Sequence, residues 1–149
     1  MLRISQGHLS SIRRSAEKCY PKECCGVLLG KLVEGERVVA EIVSCKNIAA
    51  GDQHDRYHID PAELIDIQKR ARDSGLDIVG FFHSHPDHAP VTSKTDLNEA
   101  LWFANSYLIV EVNNGRAGEI GSYVLCGTDE QDKRFDPEQI SITDAAGQS

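Results

Sequence analysis

A chain of 149 residues with 40% hydrophobic content supports one compact domain with a real core, and no shift in composition marks a second folding unit. Sixteen basic residues against twenty-three acidic ones give a formal charge of −7, which argues against the clustered Lys and Arg surface that a phosphate-backbone partner needs. The opening MLRISQGHLSSIRRSAEKCY has no continuous apolar stretch and no later run reaches the length of a bilayer span, so the expectation is a cytoplasmic protein without nucleic-acid or membrane partners.

In chain order, Leu9, Ile12 and Ala16 recur at helical spacing and predict a first helix over residues 6–18, ending near Pro21. CCGVLLG follows as a short apolar run between glycines and reads as a buried strand. RVVAEIVSC (37–45) comes after the turn-like VEGE, so the two segments form an antiparallel hairpin. The five cysteines form no C-x-x-C pair, and an odd count without a secretion signal fits reduced thiols; Cys24 and Cys25, adjacent on a strand, point to opposite faces and pack as small hydrophobes. After the polar loop NIAAGDQHD, PAELIDIQKRARDSG predicts a second helix with Asp60 as N-cap, Pro61 in the first turn and Gly75 as the stop. LDIVGFFHSH (76–85) is apolar nearly throughout and reads as a central strand closed by Pro86. SYLIVEV (106–112) and EIGSYVLC (119–126) are two more strands joined by NNGRAG. Beyond Cys126 the chain is polar: RFDPEQISI is expected to add an edge strand and TDAAGQS to fray, so residues 1–126 are taken as the domain and 127–149 as a partly disordered extension. The sum is a mixed α/β domain whose strands run mostly through hairpins.

GFFHSHPDHAP (80–90) holds three of the six histidines. On a strand His83 and His85 project from one face while Ser84 points away, which is the geometry of two ligands on one metal. A catalytic zinc takes three protein ligands and keeps a position open for water, and Asp87, His88 and Asp96 are the candidates for the third. The isolated histidines His8, His54 and His58 read as solvated.

Two motifs overlie this segment. His83, His85, Asp87 and His88 satisfy His-x-His-x-Asp-His, which resembles the metal signature of the metallo-β-lactamase superfamily; no histidine follows His88 to complete that ligand set, so the match is accidental. His83, His85 and Pro86, followed after six residues by Ser93-x-x-Asp96, resemble instead the JAMM motif of the MPN-plus zinc isopeptidases. The likeness runs from the first helix and ECCGVLLG through Tyr-x-Ile-Asp-Pro and GLDIVGFFHSHP to SYLIV, and is closest to the small standalone bacterial and archaeal members. Thr92 stands where a proline commonly precedes the motif serine.

The resemblance implies a single MPN/JAMM-type domain with a mainly antiparallel curved sheet flanked by helices, similar to the cytidine-deaminase architecture. It implies one Zn²⁺ held by His83, His85 and Asp96, with Glu23 as catalytic acid/base and Ser93 as oxyanion donor. It further implies hydrolysis after the Gly-Gly end of a ubiquitin-like or sulfur-carrier protein, trimming a tail or releasing cysteine. Self-association as a homodimer is left open. The alternatives are a noncatalytic MPN scaffold and a zinc peptidase for an unrelated peptide. Ser93-x-x-Asp96 also fits a helix capping box, a role that Asp96 can share with metal binding. The loop 47–57 is a candidate wall of the substrate channel.

Overall fold

The structure, a computed structural model, describes residues 1–144. β1 (Leu2–Ser5) leads straight into α1 (Gln6–Cys19), whose N-cap Ser5 accepts a hydrogen bond from the His8 N–H at 3.1 Å. The predicted stripe of Leu9, Ile12 and Ala16 is buried. β2 (Cys25–Val33) and β3 (Glu36–Cys45) form the expected antiparallel hairpin. In α2 (Pro61–Asp73) the Asp60 carboxylate accepts from the Ala62 N–H, with Pro61 in the first turn. β4 (Asp77–Pro86), α3 (Lys94–Glu99), β5 (Ser106–Asn113) and β6 (Arg116–Cys126) follow, then β7 (Arg134–Glu138) and β8 (Ile140–Thr143).

The strands make one eight-stranded sheet in the order β7-β6-β5-β4-β2-β3-β1-β8. β4 and β5 run parallel, as do both pairings of β1; the remaining neighbours are antiparallel. This is the mixed, mainly antiparallel domain that the sequence implied. α1 packs on one face over Leu28, Phe82, Leu108 and Val110, and α2 on the other over Val27, Phe81 and Tyr107. With both faces covered, β4 is buried from Ile78 to Pro86, the burial expected of a strand at the middle of a sheet. Cys24 and Cys25 fall in the two opposite cores, as adjacent strand residues must. β2 can lie this close to its neighbours because residue 26 is glycine: a Cβ there would collide with the Phe82 ring and the Val43 carbonyl.

Three features depart from the sequence reading. Residues 2–5 form a strand rather than a lead-in to the helix. The capping box at Ser93 opens only a short helix that stops at Glu99, so Leu101 and Trp102 lie outside it, an ending the sequence reading did not give. The stretch after Cys126 supplies two strands: β7 pairs with β6 at one edge of the sheet and β8 with β1 at the other, and a single residue, Gln139, joins them. The expected fraying of TDAAGQS falls mostly on residues 145–149, outside the described part.

Candidate metal centre

The alternation of β4 puts His83 and His85 on the face of Phe81, at the carboxyl end of the strand, both buried. α3 brings the third group. Ser93 is its N-cap and Asp96 its third residue, and both halves of a capping box form: the Ser93 hydroxyl accepts from the Asp96 N–H at 3.0 Å, and Asp96 Oδ2 accepts from the Ser93 N–H at 2.9 Å. The same carboxylate faces both imidazoles. His83 Nε2 lies 3.2 Å from Asp96 Oδ1, His85 Nε2 lies 3.1 Å from Asp96 Oδ2, and the two nitrogens are 3.2 Å apart. Asp96 therefore caps a helix and faces the histidine pair at once.

These atoms fit a divalent cation. The Ala89 carbonyl, 2.8 Å from His85 Nδ1, can only accept, so it fixes the proton on Nδ1 and leaves the Nε2 lone pair turned toward the cluster. Burial pushes the His83 imidazole below its ordinary pKa against the pull of Asp96, which favours the neutral ligand form. Burial alone would raise the Asp96 carboxyl; its pairing with His83, with the Ser93 N–H donating to it, outweighs this and holds the group well below the usual carboxylate range. One ligand atom from each residue lies within 4.8 Å of the others. The 3.2 Å between the two Nε2 atoms is close to the edge of roughly 3.3 Å expected between ligands bound to a tetrahedral ion at about 2.0 Å.

Glu23 precedes β2 on the same face. Cys25 is the register partner of His83, and Ser84 ties the next step, its N–H donating to the Cys24 carbonyl at 3.2 Å and its hydroxyl accepting from the Cys24 N–H at 2.8 Å. Glu23, one residue further, is brought alongside His85. It is only 2% exposed, and its Oε1 has no hydrogen-bond partner among the described residues. Burial, with repulsion from Asp96, Asp55 and Glu99, raises its pKa to about 9.

The remaining candidates stand apart. Asp87 and His88 are exposed on the turn after β4. Asp87 accepts hydrogen bonds from the Tyr20 hydroxyl at 2.6 Å and the Asn114 N–H at 2.9 Å, with His54 at 3.8 Å. The His88 ring lies against His85, with centroids 4.8 Å apart, and contributes no atom to the cluster.

Two residues near the cluster, at the two ends of the 47–57 loop expected to wall the channel, were given no individual role by the sequence reading. Tyr57 stacks on His83, with centroids 4.6 Å apart and planes inclined by 24°. It also lines an apolar cavity of about 320 Å³ with Ile59, Leu64, Phe81, Leu101 and Trp102. Asn47 uses its whole carboxamide: Nδ2 donates to the carbonyls of Glu23 and Arg56, and Oδ1 accepts from the N–H groups of Ala49 and His58. The position of Tyr57 in Tyr-x-Ile-Asp-Pro was a visible sign; nothing local marked Asn47.

Comparison with known proteins agrees with this geometry. Residues 5–126 match the family described as prokaryotic homologs of the JAB domain, Prok-JAB. A desampylase from Haloferax volcanii is 40% identical over 101 residues, covering 68% of this chain and 70% of that protein. A probable TtuB-protein conjugate cleaving protease from Thermus thermophilus is 28% identical over 102 residues, covering 68% and 65%. The crystal structure of a JAB1/MPN domain protein from Archaeoglobus fulgidus superposes with a TM-score of 0.57 at 17% identity, over 96% of this chain and 97% of that one, and shows the common fold. The match over most of the chain and the 40% identical relative place it in the family: this protein is a small prokaryotic member of the JAB, or JAMM/MPN, family.

Proposed function

We propose that the protein is a zinc-dependent isopeptidase that hydrolyses the bond after the Gly-Gly end of a ubiquitin-like or sulfur-carrier protein. The observation that carries the reading is the convergence of His83, His85 and Asp96 beside the buried Glu23, whose Oε1 has no hydrogen-bond partner among the described residues. The names of the relatives, a desampylase and a protease of protein conjugates, support the substrate class.

His83, His85 and Asp96 would hold the ion. Zinc suits two imidazoles and a carboxylate, and when bound it supplies Lewis acidity toward a water and a carbonyl and offsets the repulsion that Asp96 exerts on Glu23. Glu23 takes the proton of the attacking water and delivers it to the leaving amine. Because the Ser93 oxygen accepts the Asp96 N–H, its own hydroxyl proton is left to donate to the developing oxyanion, a contribution of roughly 10²–10³ in rate where such donors are removed in other hydrolases. The cavity beside Tyr57 suits an apolar side chain of the extended tail upstream of the cleaved bond. These groups all lie within residues 1–126, while β7 and β8 complete the sheet that carries them.

The test is the intact mass of a Gly-Gly-ended carrier bearing a C-terminal extension, and of the same carrier linked to a lysine, before and after incubation with zinc-loaded wild type and Glu23→Ala. Cleavage after Gly-Gly by wild type alone supports the reading. Stoichiometric zinc without cleavage of any carrier turns it toward an unrelated peptide, and wild-type turnover by Glu23→Ala removes Glu23 as the base.

A further inference from the structure

The two histidines of the cluster are held by different means. His85 is oriented by a directional bond from Nδ1 to the Ala89 carbonyl. His83 has no such bond: its Nδ1 is buried and lacks a hydrogen-bond partner among the described residues, although the residue is only 1% exposed. Asp96 engages His83 only at Nε2, 3.2 Å away, so the plane of the ring is set by what lies flat against its face. Tyr57 is that surface, stacked on His83 at 4.6 Å. Histidines that ligate metals ordinarily have the second nitrogen engaged by a carboxylate or carbonyl, and removing that partner costs 10–100-fold in metal affinity.

The loop carrying Tyr57 is built to keep it in place. Asn47 accepts from the His58 N–H and donates to the Arg56 carbonyl, one residue to either side of Tyr57, and the Ile48 N–H donates to the His58 carbonyl at 2.9 Å. The tyrosine hydroxyl makes no hydrogen bond among the described residues, so the ring face alone makes the contact. Resting on the metal-centre reading above, we propose that Tyr57 is a positioning residue: its ring sets the plane of His83, and so the aim of Nε2, in place of the hydrogen bond that His83 lacks.

The experiment needs no substrate. Metal-free wild type, Tyr57→Phe and Tyr57→Leu are titrated with Co²⁺ against a competing chelator, and the visible d–d bands are recorded, with circular dichroism as the check on folding. Tyr57→Phe should retain the wild-type affinity within about two-fold and the same spectrum. Tyr57→Leu should bind about 10–100-fold more weakly with altered bands while remaining folded. Wild-type affinity and spectrum in the leucine variant, or equal loss in both variants, would overturn the proposal. Should the leucine variant not fold, the His83 ring protons of metal-free wild type and Tyr57→Phe decide: an upfield ring-current displacement in both supports the stack, and its absence refutes it. A wild type that binds no Co²⁺ or Zn²⁺ overturns the metal-centre reading itself, whereas a binding wild type with an unaffected leucine variant sinks only the role of Tyr57.

Discussion

Glu23 is a carboxyl group kept out of water beside other carboxylates, and its raised pKa carries a stability consequence. Between pH 4.5 and about 9 the unfolded chain has released this proton while the folded, metal-free protein retains it. The folded state then binds more protons, so stability falls as pH rises through that window, by up to about 3 kcal/mol at pH 7 from this one group. Glu23→Gln removes the dependence: urea denaturation of metal-free protein should show the variant equal to wild type near pH 4 and more stable at pH 8. At the ligands, Asp96→Ala should lower zinc affinity by at least about 100-fold in competition titrations, because a ligand matters more than an outer partner. Asp87→Ala and His88→Ala should leave it unchanged; the reverse pattern would restore the His-x-His-x-Asp-His set. The histidine pair could be read in advance because the strand period of two is a local rule; Asp96 was singled out from Asp87 and His88 only by the family resemblance. The burial of Glu23 could not: a Lys-Glu pair in a turn looks solvated until β2 and β4 are seen side by side.

At the scale of elements, the loop between β3 and α2 holds both Glu23 and Tyr57. The Glu23 N–H donates to the Gln53 carbonyl at 2.7 Å and its carbonyl accepts from Asn47 at 3.2 Å. Asn47→Ala breaks four hydrogen bonds and frees that backbone, so the expected result is a cost of about 1–3 kcal/mol and a fall in kcat of roughly 10-fold or more with KM little changed. Equal losses in kcat and zinc content would mean general unfolding of the site instead. α1, α2 and the β2–β3 hairpin were legible because periodicity and caps reside within each segment. α3 was not legible in its length. Its last carbonyls are taken by a distant side chain, with Lys133 Nζ donating to the Asn98 and Ala100 carbonyls at 3.1 and 3.0 Å, and no local signal announces that ending.

Across the whole molecule, the passage from β7 through Gln139 to β8 draws the two edges of the sheet toward each other. Glu138 fastens the seam: Oε2 accepts from the Ser106 and Ser122 hydroxyls at 2.6 and 2.7 Å, and Oε1 meets Arg37 at 3.3 Å. Its side chain is 6% exposed, so Glu138→Ala strands a guanidinium and two hydroxyls, and the expected loss is about 3 kcal/mol in chemical denaturation with zinc affinity intact. The sheet's mixed character was readable from its strands, but its closure was not, since β1 pairs with a strand more than a hundred residues away and spans four residues itself. That pairing also orders events during synthesis. β1 is synthesised well before β8, the strand that pairs with it on one side. The ligands and β5, which flanks their strand, are all out by Asn113. His83, His85 and Asp96 can therefore come together while the sheet is still open, and their assembly does not have to wait for the seam to shut.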